Sequence, residues 1–335
     1  MELNKIYCGD AFETLIKFPS ETVNCIVTSP PYYCLRDYGI SGQIGLEQSP
    51  EEYIKRLTDI FTECKRVLKK DSTMWVVIGD SYAGSGRGWG GKNDLYSRNI
   101  QPKASFATEF SKPHKLLNYK NKDLIGIPWQ LAFALRESGW YLRQDIIWHK
   151  PNPMPESIRD RCTKAHEYVF LFSKSAKYYF DYNAMLEPAR YDGRKNTRKK
   201  RSLKYSNNTT GLTTQGISKG GGERWANKIG NYPARNKRSV WTVPTRGFKD
   251  AHFATFPPDL IRACIETACP PDGVVLDPFM GAGTTALVAK RLNRNYLGIE
   301  LNSDYIKIAE KRLSISSMPY PQMTICFENL TLWQM

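Results

Sequence analysis

The 335-residue sequence predicts an α/β protein built on a doubly wound, mainly parallel sheet with helices on both faces. Three observations carry that expectation. Short, β-branched apolar runs alternate with segments of helical period. A glycine turn at Gly281 and Gly283 stands between an apolar run and a helix, as at the ligand-binding edge of such sheets. The alternation is interrupted once, by a long basic stretch that reads as an inserted region.

In chain order, VNCIVT at Val23 to Thr28 is a strand stopped by Ser29, Pro30 and Pro31. Ser49 can cap a helix with Pro50 in its first turn and Glu51 and Glu52 favouring its positive end. That helix runs to about Leu68, with Tyr53, Ile54, Leu57, Ile60, Phe61, Val67 and Leu68 as its apolar stripe and Lys69, Lys70 and Asp71 closing it. A strand follows at Thr73 to Ile78, then a polar, glycine-rich insertion at 81–118 expected to be a mobile surface loop. The alternation resumes with a helix at 128–138, a strand at 141–148, the proline-punctuated loop KPNPMP and a strand at 167–173. Beyond the basic stretch come a helix at 257–268, a buried strand at 274–276, a helix at 284–292, a strand at 295–299 and a closing helix at 303–313.

Composition excludes several classes. Hydrophobic residues make up 41%, no run is long enough to span a membrane, and the start lacks a basic segment leading into an apolar one, so a soluble cytoplasmic protein is expected. Eight cysteines scattered without CxxC spacing suit neither a disulfide framework nor a zinc site, and no metal is expected. The net charge of +15 is concentrated: Arg190 to Asp250 holds sixteen basic and three acidic residues, +13 of the total. Arg194, Lys195, Arg198, Lys199, Lys200, Arg201, Arg224, Arg235, Lys237 and Arg238 are interleaved there with Tyr191, Tyr205, Trp225, Tyr232 and Trp241, aromatics suited to stacking on bases. Cations with stacking rings on loops predict a nucleic-acid surface.

The segment VVLDPFMGAGTTALVAKRLNRNYLGIEL orders strand, acid, glycine turn, helix, strand and acid. Gly281 and Gly283 permit a tight turn and close approach of a ligand, and the helix after Thr284 presents free amides. Glu300 ends the next strand, where a carboxylate can accept from two ribose hydroxyls. Ala286 replaces the third glycine of a dinucleotide fingerprint. Asp277, just before Pro278 and Phe279, would repel a pyrophosphate and suits a cationic, amino-bearing ligand such as S-adenosyl-L-methionine.

Thr28-Ser29-Pro30-Pro31-Tyr32 follows a strand directly. Prolines supply no amide protons and stiffen the backbone, so the carbonyls here can act as fixed acceptors beside the Ser29 hydroxyl. Hydrogen bonds accepted from an exocyclic amine on a base would localise its lone pair for attack on a methyl group. Tyr32 offers a ring to stack on a base flipped out of a duplex.

These two motifs, with the basic stretch between them, resemble the amino-methyltransferases of DNA in which an SPPY-type motif precedes the cofactor motif. The resemblance spans most of the chain. It implies a methyltransferase fold of the Rossmann-like kind, S-adenosyl-L-methionine as cofactor and double-stranded DNA as substrate. CGDAFETL at 8–15 is similar to the segment whose acid, here Asp10, meets the adenine; HFATFPPDL at 252–260 to the segment packing on the methionine moiety, here Phe256 and Pro257. DPFMGAGTT at 277–285 matches the cofactor loop, carrying Thr284 and Thr285, and GIELNSDYI at 298–306 the ribose-binding strand end, with Glu300 and Asn302. WHKPNPMP at 148–155 and HEYVFLFSK at 166–174 also resemble family segments, without an assigned role.

The implied organisation is a catalytic half at 1–185, a target-recognition region at 186–245 and a cofactor half at 246–335. Serine at the first motif position resembles enzymes that methylate N4 of cytosine, with N6 of adenine as the alternative. A cognate restriction endonuclease and a homodimer are further partners the resemblance suggests. Two other readings stand beside it: a DNA-binding specificity subunit that has lost catalysis, and an RNA methyltransferase. His149 and His166 are expected to be structural, and the cysteines to serve packing.

Overall fold

The amphipathic stripe and the Ser49 cap produce the longest helix of the protein's computed structural model, which describes residues 1–35, 38–84, 118–188, 234–245 and 255–315. After a short strand β1 (Lys5–Cys8), a one-turn helix α1 (Ala11–Leu15) and strand β2 (Val23–Thr28), this helix, α2, runs over Pro50–Val67. The Ser49 hydroxyl accepts from the Glu52 amide at 3.2 Å, and the Glu52 carboxylate takes the Gln48 amide at 3.2 Å, a reciprocal cap. Every residue of the expected stripe is buried.

The remaining elements are β3 (Leu68–Ile78), α3 (Ile127–Glu137), β4 (Tyr141–His149), β5 (His166–Ser173), β6 (Leu186–Pro188), β7 (Ala234–Asn236), β8 (Val240–Thr242), α4 (Pro258–Ala268), β9 (Val274–Asp277), α5 (Thr284–Arg291), β10 (Asn295–Glu300) and α6 (Ser303–Ile315). Eight strands form one sheet in the order β1-β10-β9-β2-β3-β5-β4-β8. Neighbours from β1 to β3 pair in parallel, β5 is antiparallel to both β3 and β4, and β8 is parallel to β4. Strand β9, late in the chain, inserts beside β2, with Cys25 opposite Val275 and Ile26 opposite Leu276. This is the point where strand order reverses, and it leaves a crevice at the carboxyl ends of the strands.

The chain divides into two units, Met1–Ala184 with Arg238–Gln322 and Met185–Lys237 with Met323–Met335. The sheet and its helices belong to the first. In the second, β6 and β7 form an antiparallel pair, with Arg235 Nε on Glu187 Oε1 at 2.9 Å. Among the described residues no helix is long and apolar enough to cross a membrane and no two cysteines form a disulfide, with Cys25, Cys64, Cys264 and Cys269 buried.

Several expectations are corrected. Lys69, Lys70 and Asp71 do not close α2; they belong to β3, which starts at Leu68 because that residue pairs with Val23. Ser81 to Gly84, assigned to a mobile insertion, are anchored: Ala83 exchanges backbone hydrogen bonds with Asp123 and Lys122, and the Ser81 hydroxyl donates to the Tyr33 carbonyl at 2.8 Å. Residues 85–117 of that insertion, including Trp89, lie outside the described residues.

The basic stretch is not carried on loops throughout. Arg235 sits in β7, and Val240–Thr242 is an edge strand of the main sheet. Trp241, expected to reach for bases, is 4% exposed and stacks on buried Trp75 with ring centroids 6.4 Å apart. Large buried aromatics lose about 3–5 kcal/mol on truncation to alanine. Trp241→Ala is therefore expected to lower unfolding stability by about 3 kcal/mol in a denaturant titration, rather than to weaken DNA binding selectively.

Candidate active site

The parallel strands β1, β10, β9 and β2 all end at one edge, so Asp10, Glu300, the 277–283 loop and Ser29 to Tyr32 gather there. The Gly9 amide donates to the Glu300 carbonyl at 3.0 Å, and the Met280 amide to the Ile299 carbonyl at 2.9 Å, locking neighbouring strand ends together.

Asp277 is 1% exposed, and both of its carboxylate oxygens are engaged inside the protein. Thr28 Oγ1 donates to Oδ1 at 2.6 Å, the Phe279 amide to Oδ1 at 3.0 Å and Thr285 Oγ1 to Oδ2 at 2.7 Å. Burial pushes this carboxyl up to about 6 against the three hydrogen bonds, which favour the ionised form. This acid, expected from the sequence to suit a cationic ligand, ties the end of β2 to the start of the 277–283 loop. Thr285 also lies near the Val27 carbonyl at 3.3 Å, and Thr284 accepts from Arg312 Nη1 at 3.1 Å. Both threonine hydroxyls serve internal contacts.

The two glycines of the loop do different work. Gly283 (φ 78°) is pressed against α6, where an added Cβ would lie 2.7 Å from Ala309 Cβ. At Gly281 (φ 52°) an added Cβ would meet nothing nearer than the Phe279 carbonyl at 4.0 Å. The space beside Gly281 is open. Pro278 is buried, and the half-buried Phe279 ring meets Phe61 edge-on at 6.2 Å.

Glu300 takes the Gly281 amide on Oε2 and the Asn302 amide on Oε1, each at 2.8 Å. Burial raises its carboxyl above the ordinary range, opposed by these amides. Each oxygen retains acceptor capacity, which a vicinal diol can use. Asn302 is itself occupied in starting α6, its side chain accepting the Asp304 amide at 2.8 Å. Across the strand ends, Asp10 caps α1 through Oδ1, and its Oδ2 lies 3.7 Å from Arg56 Nη2. Asp10, Glu300 and the flank of Gly281 follow one another at the ends of β1, β10 and β9, an arrangement that fits an adenosyl group. Phe256 and buried Pro257 precede α4, whose far end leads through 269–273 into β9, so an 11-residue helix about 16 Å long sets them at the opposite, carboxyl edge of the sheet.

On the β2 side, Ser29 is partly exposed and Pro30 buried. The Pro31 carbonyl accepts from Tyr53 Oη at 2.7 Å, while no donor among the described residues bonds the Pro30 carbonyl. Tyr32 Oη donates to Glu167 Oε2 at 2.8 Å, and Lys150 Nζ forms an ion pair with Glu167 Oε1. Burial and then the Glu167 charge push the Tyr32 phenol well up, so it stays neutral; the Ser29 hydroxyl pulls the other way. Gly45 (φ 99°) and Gly79 make room for this tyrosine, since Cβ atoms there would lie 2.8 Å from the Tyr32 carbonyl oxygen and 2.7 Å from Tyr32 Cε2.

Sequence reasoning missed Gly79, Tyr53, Lys150 and Glu167 as site residues. A glycine just after the β3 apolar run was the one available signal for Gly79. His149 meets Thr242 Oγ1 at 3.1 Å, and burial lowers His166 below the usual imidazole range. Of the ten expected DNA contacts, Arg235, Lys237 and Arg238 are described. Arg235 pairs with Glu187, the Lys237 amide bonds the Met185 carbonyl at 3.0 Å, and the Arg238 carbonyl accepts from Trp241 Nε1 at 2.9 Å. Arg194, Lys195, Arg198, Lys199, Lys200, Arg201 and Arg224 lie outside the described residues.

A strand-end acid, a glycine loop and a Ser-Pro-Pro-Tyr turn thus meet at one switch point of the sheet. Residues 23–311 match the DNA methylase family N6_N4_Mtase. The chain belongs to this family of S-adenosyl-L-methionine-dependent DNA amino-methyltransferases. It is 44% identical over 311 residues to the type II methyltransferase M.XycI of Xanthomonas campestris pv. cyanopsidis, covering 92% of this chain and 87% of that one. It is 45% identical over 315 residues to M.Cfr9I of Citrobacter freundii, covering 93% and 89%. In fold it is similar to the PvuII DNA methyltransferase (cytosine-N4-specific), with TM-score 0.59, 19% identity and coverage of 93% and 86%. TTHA0409 of Thermus thermophilus, complexed with S-adenosyl-L-methionine, matches with TM-score 0.54, 21% identity and coverage of 93% and 94%.

The buried Asp277 gives a pH test. Its folded value lies above the unfolded one near 3.8, so the native state binds the extra proton between about 4 and 6, and this group's contribution to stability falls as pH rises through that window. Asp277→Asn carries no such dependence. The variant's stability relative to the parent is expected to improve by about 1 kcal/mol on going from pH 5 to pH 7, read from urea unfolding at each pH.

Proposed function

We propose that this chain is a type II, site-specific DNA methyltransferase that methylates the exocyclic N4 amine of cytosine in duplex DNA. The observation that carries the reading is the placement of Ser29 and Pro30 directly after Thr28, whose hydroxyl is bonded to Asp277 at the head of the glycine loop. Acceptor turn and cofactor loop are thereby adjacent. Serine at the first motif position supports cytosine, and the relatives named type II methyltransferases support site-specific modification beside a cognate restriction endonuclease.

In this reading Glu300 accepts the ribose hydroxyls, Asp10 meets the adenine and Gly281 leaves room for the backbone to approach. S-adenosyl-L-methionine, when bound, supplies a sulfonium-activated methyl group. The Ser29 hydroxyl and the Pro30 carbonyl accept the two amine hydrogens, which turns the nitrogen lone pair out of ring conjugation and aims it at the crevice. Tyr32 stacks on the flipped base. The amine proton leaves to solvent past the same two acceptors, so the reaction needs no thiol nucleophile, and the buried cysteines, held protonated by burial, serve packing. The basic residues of 186–245, with Arg194 to Arg201 foremost, contact the DNA. Phosphate neutralisation by such a cluster makes affinity fall steeply with salt.

The test is digestion of duplex DNA methylated with labelled cofactor and mass spectrometry of the nucleosides. N4-methylcytosine is expected; N6-methyladenine keeps the family and overturns the base. Ser29→Ala is expected to lower single-turnover rate by about tenfold or more, with cofactor affinity unchanged by calorimetry. Full turnover in that variant contradicts the role given to Ser29.

A further inference from the structure

Two sequence segments that resemble family blocks without an assigned role, 148–155 and 166–174, bring Lys150 and Glu167 together beside Tyr32. Tyr32 follows β2, Lys150 follows β4 and Glu167 stands in β5, so the contact gathers three separate strands. Glu167 Oε2 accepts from the Tyr32 hydroxyl at 2.8 Å, and Oε1 is paired with Lys150 Nζ. Both charged side chains are largely removed from water, at 18% and 17% exposure. Lys150 Nζ also lies 4.4 Å from the centroid of the buried Trp148 ring, whose indole N–H bonds the Val243 carbonyl at 2.8 Å.

Gly79 packs beside this contact. An added Cβ at Gly79 would lie 2.7 Å from Tyr32 Cε2 and 3.4 Å from the Glu167 carboxyl carbon. Ring and carboxylate are thus seated against bare backbone at the end of β3. The hydroxyl oxygen lies on the Cβ–Cγ axis, so holding it fixes the swing of the ring about Cα–Cβ, while the backbone of Gly79 against the ring edge limits rotation about Cβ–Cγ.

We propose that Glu167 and Lys150 are a positioning pair for the target-base pocket: Glu167 holds the Tyr32 hydroxyl so that the ring presents a fixed face to the flipped base, and Lys150 keeps the carboxylate in place. The proposal rests on the stacking role given to Tyr32 above. Neither Glu167 nor Lys150 touches the reacting atoms; they act through Tyr32. The hydrogen bond is made before any base arrives, so its loss acts by letting the ring shift, and a misplacement of that kind slows transfer by roughly 10- to 100-fold.

The experiment compares single-turnover methylation of duplex DNA and cofactor affinity in the full-length protein and its variants. Glu167→Ala is expected to slow transfer by about tenfold or more with cofactor affinity within about twofold, and Glu167→Gln, which still accepts from Tyr32, to recover most of the rate. Tyr32→Phe deletes the same hydrogen bond without exposing a buried charge, so it folds even where Glu167→Ala does not. It must show a comparable loss, and adding Glu167→Ala to it must cost less than about twofold more. Full turnover in Tyr32→Phe, or losses that multiply in the double variant, overturns the pair. If Tyr32→Ala alone loses activity, the stacking role survives that failure; if Tyr32→Ala keeps full turnover, the stacking role falls with it.

Discussion

The site depends on one buried carboxylate. Asp277 draws hydrogen bonds from Thr28 at the end of β2, from Thr285 in the first turn of α5 and from the Phe279 amide of the intervening loop. Thr28 and Asp277 stand 249 positions apart in the sequence, and the sheet alone pairs their two strands only through Cys25 and Ile26. The carboxylate extends that registry past the strand ends into the Ser29–Tyr32 turn and the 277–283 loop, the two segments to which the proposed function assigns the chemistry. A buried charge is costly unless its hydrogen bonds are made, so the three donors and the acid hold one arrangement or lose it together.

Around that link the remaining parts divide by what they offer. Carboxylates that already hold backbone amides, Glu300 on Gly281 and Asp10 on α1, are oriented before any ligand arrives. Preorganised acceptors need no rearrangement at the moment of reaction, the condition under which electrostatic contacts are most effective. The Ser-Pro-Pro turn achieves the same rigidity by another route, since its prolines restrict φ and Tyr53 ties down the Pro31 carbonyl at 2.7 Å. Glycine provides clearance in two senses: Gly283 admits the α6 backbone, whereas a Cβ at Gly281 would meet no described atom nearer than 4.0 Å.

Much of this was legible in the sequence. Long periodic segments such as α2, and strands such as β2 and β9 flanked by prolines and glycines, were read nearly to the residue because local chemistry alone marks them. Strand β1 was not, because KIYC has four residues and one buried side chain, too few for alternation to register. Strand β8 was hidden inside a basic region because its membership comes from pairing with β4, a tertiary fact. For the same reason Trp241 read as a DNA contact. Ser29 and Glu300 stand out in the sequence by their turn and strand-end positions, and Asp10 through the family resemblance of CGDAFETL. The inward aim of Asp277, Thr284 and Thr285, and the meeting of Tyr32 with Glu167, were not: a motif names residues, but the direction of a side chain is decided by neighbours far away in the chain.

The central claim is that cofactor and target meet across the Thr28–Asp277 link, with the β9 and β10 ends holding one and the β2 end the other. A crystal structure of the protein with S-adenosylhomocysteine measures this most directly. The account predicts ribose hydroxyls on the Glu300 carboxylate, adenine beside Asp10 and the sulfur turned toward Ser29 and Pro30. Ribose bound away from Glu300, or a sulfur facing away from the Ser29 turn, would contradict it.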